Sequence, residues 1–154
     1  MMSNALELKV PPLAFVFLFG ALTWLVSGYS EFTFALPWRS AFALLFCAVG
    51  IAIVLAGVVA FHRAKTTVNP LTPEATTTMV TSGIYRFTRN PMYLGFLLVL
   101  AGWAMYLSNV LAFALLPLFV WYMNRFQIVP EERALGAKFS QAFTVYKRSV
   151  RRWL

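Results

Sequence analysis

Two short stretches of this chain carry residues of the kind that do chemistry. The first runs Tyr85-Arg86-Phe87-Thr88-Arg89-Asn90-Pro91-Met92-Tyr93 and is polar, basic and aromatic. The second is the acidic pair Glu131-Glu132. Asn90-Pro91 reads as a helix start, with Asn as N-cap and Pro at the first helical position. The free N–H groups of such a terminus, and the positive end of its dipole, favour an anion. A well-capped membrane helix would need the same residues. Adjacent glutamates satisfy a helix dipole when they fall in a first turn, or they bind a cation. A zwitterionic amino-acid group would suit both stretches: carboxylate to Arg89 or the helix N-terminus, ammonium to Glu131 or Glu132. The faces of Tyr85 and Tyr93 would take a sulfonium by cation–π attraction. S-adenosylmethionine carries all three features. The residues permit that ligand without singling it out.

Other chemistries fit worse. His62 is the one histidine and Cys47 the one cysteine, so no histidine- or cysteine-built metal site and no disulfide framework is expected. The chain has no Asp, which removes the usual Ser-His-Asp set. Gly83 and Gly95 do not make a phosphate-binding loop.

The elements that must position these residues are apolar. The chain has 154 residues, 60% hydrophobic and only 12% charged, where a soluble domain averages about 25% charged residues. An all-α integral membrane bundle is expected, as a single membrane domain. Four spans are read at about 13–29, 40–61, 92–107 and 110–128, followed by an amphipathic interfacial helix over 131–147. The first run is read as a retained span rather than a cleaved leader. Gly50, Ala52, Ala56 and Gly57 would let another helix approach closely. Cys47 reads as a small core residue. Pro117 is expected to kink the fourth span. The polar loop 62–90 is long enough to be functional, or else a linker. Four spans put every Lys and Arg except Arg39 on one side, so both termini and the loop are expected to be cytoplasmic. The same placement explains the net charge of +8 without nucleic acid. Arg151-Arg152-Trp153-Leu154 reads as an interfacial anchor. Arg125, at the end of the fourth span, would orient an anionic substrate or snorkel to the headgroups.

The run Gly83-Ile-Tyr-Arg-Phe-Thr-Arg-Asn-Pro-Met-Tyr-Leu-Gly95, then Glu131-Glu132-x-x-Leu135 and Phe139 to Tyr146-Lys147, resembles the isoprenylcysteine carboxyl methyltransferase / phospholipid methyltransferase family. The resemblance implies an integral-membrane enzyme that uses S-adenosylmethionine. Matched position by position, it points to a cofactor pocket of Thr78, Val80, Tyr85, Asn90, Pro91, Met92, Tyr93, Glu131 and Glu132, beside the Arg89 already singled out. The isoprenylcysteine branch usually has His where this chain has Asn90. Asn-Pro-Met-Tyr looks more like the phospholipid branch and small bacterial members, which implies a bacterial inner membrane. The acceptor implied is lipophilic and membrane-embedded, isoprenylcysteine carboxylate-like or phospholipid amine-like. Glu131 is the nearest proton acceptor for an amine. The chain is short, and a homo-oligomer would supply a missing wall. Two alternatives stand beside this: a sterol-type membrane reductase using NADPH, and a non-catalytic membrane adaptor.

Overall fold

Backbone polar groups in hydrocarbon must be satisfied within the chain, so long uncharged runs become helices. The computed structural model describes residues 7–66 and 77–154. Pro70, Pro73, Glu74 and Thr76 of the long loop lie outside the described residues. The helices are α1 (Pro12–Val26), α2 (Arg39–Arg63), α3 (Pro91–Leu107), α4 (Val110–Met123) and α5 (Val129–Ser149). A short 3-10 turn covers Gly83–Arg86, where Gly83 adopts the expected positive φ of 62°.

Among the described residues, two helical runs are long and apolar enough to cross a membrane: α2, and the continuous run Val110–Ser149. At 15 and 17 residues, α1 and α3 fall short of the ~20 needed for a full crossing. The expected first span thus ends early, at Val26, where the Ser27 hydroxyl turns back to donate to Trp24 O at 2.6 Å. The outward faces of α1 and α2 are apolar and exposed, with Phe17 at 71% and Leu44 at 72%. A water-soluble surface does not carry a continuous array of this kind. The chain is that of a membrane protein.

The largest difference from expectation is at the C-terminal end. The helix expected over 131–147 is not a separate element. α4 passes through a π-turn at Asn124–Ile128 straight into α5. Pro130 does not interrupt the run: the carbonyl its missing N–H leaves free, Phe126 O, accepts from Leu8 N at 3.2 Å, and the π-turn just before it takes up the change of register. The break comes later, at Ser140, with φ 41° and ψ −108°.

Helices α2 and α3 pack antiparallel at very close range. A Cβ on Gly50 would lie 2.6 Å from Gly95 O, and one on Gly102 would lie 2.9 Å from Ala43 O. A Cβ on Gly57 would lie 2.9 Å from Met92 Cγ. Gly50 and Gly57 therefore do what their size suggested. Ala52 and Ala56 do not, since they fall on the exposed side of α2. Cys47 is half-buried in the same seam, its thiol 3.9 Å from Val99 O.

A larger packing core joins α1, α3 and α4 through Phe15, Phe19, Tyr93, Leu100, Phe119 and Met123, with Ile128 of the π-turn closing it. At the end of the bundle away from Tyr93, Ser108-Asn109 makes the α3–α4 turn. Asn109 caps α4 by accepting from Leu111 N at 2.9 Å, and its amide donates to Tyr29 O at 3.0 Å. That end is a structural corner. The opposite end holds the polar residues.

Candidate active site

The site forms where α3 begins and the α4–α5 run emerges from its π-turn. Pro91 at the first position of α3 fixes the start of that helix. Asn90 occupies the N-cap position, but its side chain makes no capping bond. The expected Asn cap is therefore corrected: Asn90 Nδ2 instead donates to Arg152 O at 2.9 Å. Thr88 supports the same corner, its hydroxyl donating to Arg152 O at 3.2 Å and accepting from Asn90 N at 3.2 Å.

The two glutamates, adjacent in the first turn of α5, have opposite surroundings. Glu131 Oε1 accepts a hydrogen bond from the Tyr93 hydroxyl. Glu132 lies between two guanidinium groups. Arg89 Nη2 reaches Oε1 at 2.8 Å, and Arg152 reaches Oε2 through Nη2 at 2.7 Å and Oε1 through Nε at 3.2 Å. Arg89 also donates through Nη1 to Val150 O at 2.5 Å and Lys147 O at 3.2 Å. Its Nε is buried and has no hydrogen-bond partner among the described residues.

Electrostatics separate the pair. Burial is the main cause that pushes the Glu131 carboxyl up to about 8; the Glu132 charge adds to the rise and the Tyr93 hydrogen bond opposes it. Burial would raise Glu132 as well, but the bonds from Arg152 and Arg89 outweigh it and hold Glu132 below its ordinary value. Near neutrality, then, one carboxyl holds a proton and its neighbour is an anion. Two titratable groups driven apart by their environments are an arrangement suited to acid–base work.

Tyr85 is buried beneath this corner, its ring edge-on to Phe61 at 5.4 Å. Burial, with Tyr146 and Glu131 adding, raises its hydroxyl well above the usual range. Tyr146 donates to Tyr85 O at 2.7 Å, and burial pushes its own hydroxyl up to about 12 against the lowering effect of Arg89. Val80 is buried with Ala60 and Tyr85, and Met92 meets Gly57.

Of the residues singled out from sequence, Tyr85, Arg89, Asn90, Pro91, Met92, Tyr93, Glu131 and Glu132 gather at this corner, and Val80 packs at its edge. Thr78 is exposed and bonds through its amide to Thr66 Oγ1 at 3.4 Å. Arg125 turns elsewhere: its guanidinium pairs with Glu7 at 3.1 Å, and Arg133 pairs with the same carboxylate at 3.2 Å. Three contributors were not singled out for the site. Arg152 and Trp153 read as an anchor, and Asn124, whose Oδ1 accepts from Trp153 Nε1 at 3.1 Å, carried no signal. The one hint was that Arg152-Trp153 can bury as readily as it can snorkel.

Residues 38–142 match the phospholipid methyltransferase family, and the chain belongs to that family. The chain is 31% identical over 113 residues to protein-S-isoprenylcysteine O-methyltransferase A of Arabidopsis thaliana, covering 73% of this chain and 57% of that one. It is 33% identical over 72 residues to protein-S-isoprenylcysteine O-methyltransferase of Schizosaccharomyces pombe, covering 47% and 30% respectively. An uncharacterized protein of Haemophilus influenzae is 44% identical over 63 residues, its whole length and 41% of this chain. The chain thus spans little more than half of one named methyltransferase and under a third of the other. No solved structure gives a significant match.

Proposed function

We propose that this protein is an S-adenosylmethionine-dependent methyltransferase acting on a lipophilic acceptor that reaches it from the bilayer. The observation that carries the reading is the pair of unlike carboxyls, Glu131 with Tyr93 and Glu132 with Arg89 and Arg152, at one end of an otherwise apolar bundle. Membership in a methyltransferase family gives that pair its chemical context.

The donor set fits the cofactor. Glu132, held as the anion, suits an ammonium with Glu131 beside it, and Arg89, whose buried Nε finds no partner among the described residues, suits a carboxylate. Tyr85, Asn90, Pro91, Met92 and Tyr93 would line the same corner, with Val80 packed against Tyr85 at its edge. When bound, the cofactor supplies a methyl group on a sulfonium, open to in-line attack by a carboxylate, amine or thiol. The chain's own contribution is positioning and exclusion of water. For an amine acceptor, ionised Glu131 takes the departing proton. Arg125, half-exposed and paired with Glu7, would meet an anionic headgroup only by leaving that pair.

Four spans, with both termini and the loop on the cytoplasmic side of a bacterial inner membrane, complete the proposal. α1 and α3 would cross with local thinning of the bilayer or as parts of a packed bundle. The acceptor is isoprenylcysteine carboxylate-like or phospholipid amine-like, with Asn90 favouring the latter. A second copy of the chain would contribute a wall of the acceptor site.

The test is transfer of a labelled methyl group from S-adenosylmethionine to a bacterial lipid extract and to a prenylated cysteine analogue. Label in a lipid amine fraction supports the reading and its phospholipid form. Label in the prenylcysteine alone supports the methyltransferase and corrects the acceptor. No transfer to either, with NADPH consumed instead, would replace it with the reductase reading.

A further inference from the structure

The last residues of the chain run back across the site instead of leaving it. Thr88, Arg89 and Asn90 all bond to the tail backbone: Thr88 and Asn90 through their side chains to Arg152 O, Arg89 through its amide to Arg151 O at 2.9 Å and its guanidinium to Val150 O. The Arg152 guanidinium holds both oxygens of Glu132. Trp153 bonds Asn124 in the π-turn and packs on the cluster that contains Tyr93 and Met123. A membrane anchor would instead present its arginine and indole to headgroups. Here both are half-buried and bonded to residues that define the corner.

We propose that Val150–Trp153 is a strap that completes the cofactor corner, and that Arg152 is a positioning residue that fixes Glu132 and, through it, Arg89. The proposal rests on the cofactor reading above. The groups facing Glu132 are Arg89 from the segment before α3, Arg152 from the tail and Glu131 on its own helix. Arg89 is tied down by backbone carbonyls as well as by Glu132. Arg152 supplies the bidentate contact, which sets direction as well as charge. Glu132 must be ionised to hold a ligand ammonium. Without Arg152 it keeps one cation, and its affinity for a proton rises. Ligand binding is present above that carboxyl's pKa and lost as pH falls through it. Removing Arg152 therefore moves the acid limb of binding to higher pH.

The experiment titrates detergent-purified wild type, Arg152→Gln and Arg152→Lys with S-adenosylhomocysteine from about pH 3.5 to pH 8, a range that spans the Glu132 carboxyl, with thermal melts alongside. Hydrogen exchange is followed in the peptides holding Arg89 and Glu132. For Arg152→Gln the expected result is an acid limb raised by about one unit, so that binding is up to about tenfold weaker at the acid end of the range and nearly unchanged near neutrality. Arg152→Lys should recover part of the loss and part of the shift. A merely structural role would lower melting and leave the pH limb in place. An unchanged limb in folded Arg152→Gln overturns the proposal. Should that variant not fold, Arg152→Lys decides, with about threefold weaker binding at the acid end expected from loss of the second N–H and unchanged affinity there overturning it. If wild type binds no adenosyl ligand, the cofactor reading fails on its own. The strap then stands or falls on whether either Arg152 substitution speeds exchange at Arg89.

Discussion

Tyr93 and Glu131 carry the sharpest consequence at the level of single residues. The Glu131 carboxyl sits at about 8 in the folded protein against an ordinary 4.5. Between those values the unfolded chain has lost this proton while the folded chain keeps it. The group's contribution to stability is therefore complete below 4.5, falls as pH rises, and levels off above about 8. Glu131→Gln should flatten that stretch of the melting-temperature profile and leave the protein at least as stable as wild type above pH 8, read by thermal melts in detergent. The same substitution should cut methyl transfer to an amine by about 100-fold, the scale of a lost general base. Tyr93→Phe removes a bond that favours ionised Glu131, so the rise of the pH–rate profile should move upward. Much of this corner was legible because Arg89, Tyr93 and the glutamates are unusual in an apolar chain. The unlike ionisation of Glu131 and Glu132 was not, since it depends on which tertiary neighbours each one meets. Arg152 is separated from Glu132 by 20 positions, and no local pattern announces that contact.

Among the elements, the α2–α3 seam is the frame that holds the start of α3 in place. A Cβ on Gly95 would lie 2.5 Å from Gly50 O and 2.6 Å from Val54 Cγ2. Backbone cannot yield as a flexible side-chain tip can, so Gly95→Ala should cost about 1–3 kcal/mol by overpacking and lower the melting temperature. Gly20→Ala is the contrast, with nothing within 4 Å of the added methyl. It should be neutral or gain about 0.5–1 kcal/mol from the better helix former. The helices themselves were legible from apolar runs bounded by Pro, Ser and Asn. The seam was legible only in part, because small size marks Ala52 and Ala56 as well as Gly50 and Gly57, and only facing decides between them. The joined α4–α5 run was missed for a related reason. Pro130 normally signals a boundary, but Leu8 N takes the carbonyl it leaves free, and the π-turn before it absorbs the change of register.

For the whole molecule, α2 carries basic residues at both ends, Arg39 at its start and His62 and Arg63 at its close, so this helix alone does not set its direction across a membrane. If the polar corner is cytoplasmic, reporter fusions at both termini should show cytoplasmic activity, and a reporter inserted near Ser108-Asn109 should not. Reporters on opposite sides at the two termini would mean an odd number of crossings and would remove the basis for the four-span arrangement. Membrane character was legible from composition alone, whereas the number of crossings was not. α1 and α3 are too short to be decided by length, and burial depends on the neighbours they pack against. The account as a whole rests on adenosyl recognition at the Tyr93–Glu131–Glu132 corner. The most direct measurement is calorimetric titration of the detergent-purified protein, its Tyr93→Phe and its Glu131→Gln variants with S-adenosylmethionine, S-adenosylhomocysteine and NADPH. The account predicts saturable binding of both adenosyl ligands to wild type, weakened in each variant, and no binding of NADPH. Folded wild type that ignores both adenosyl ligands, or binds them equally well in all three forms, would contradict it.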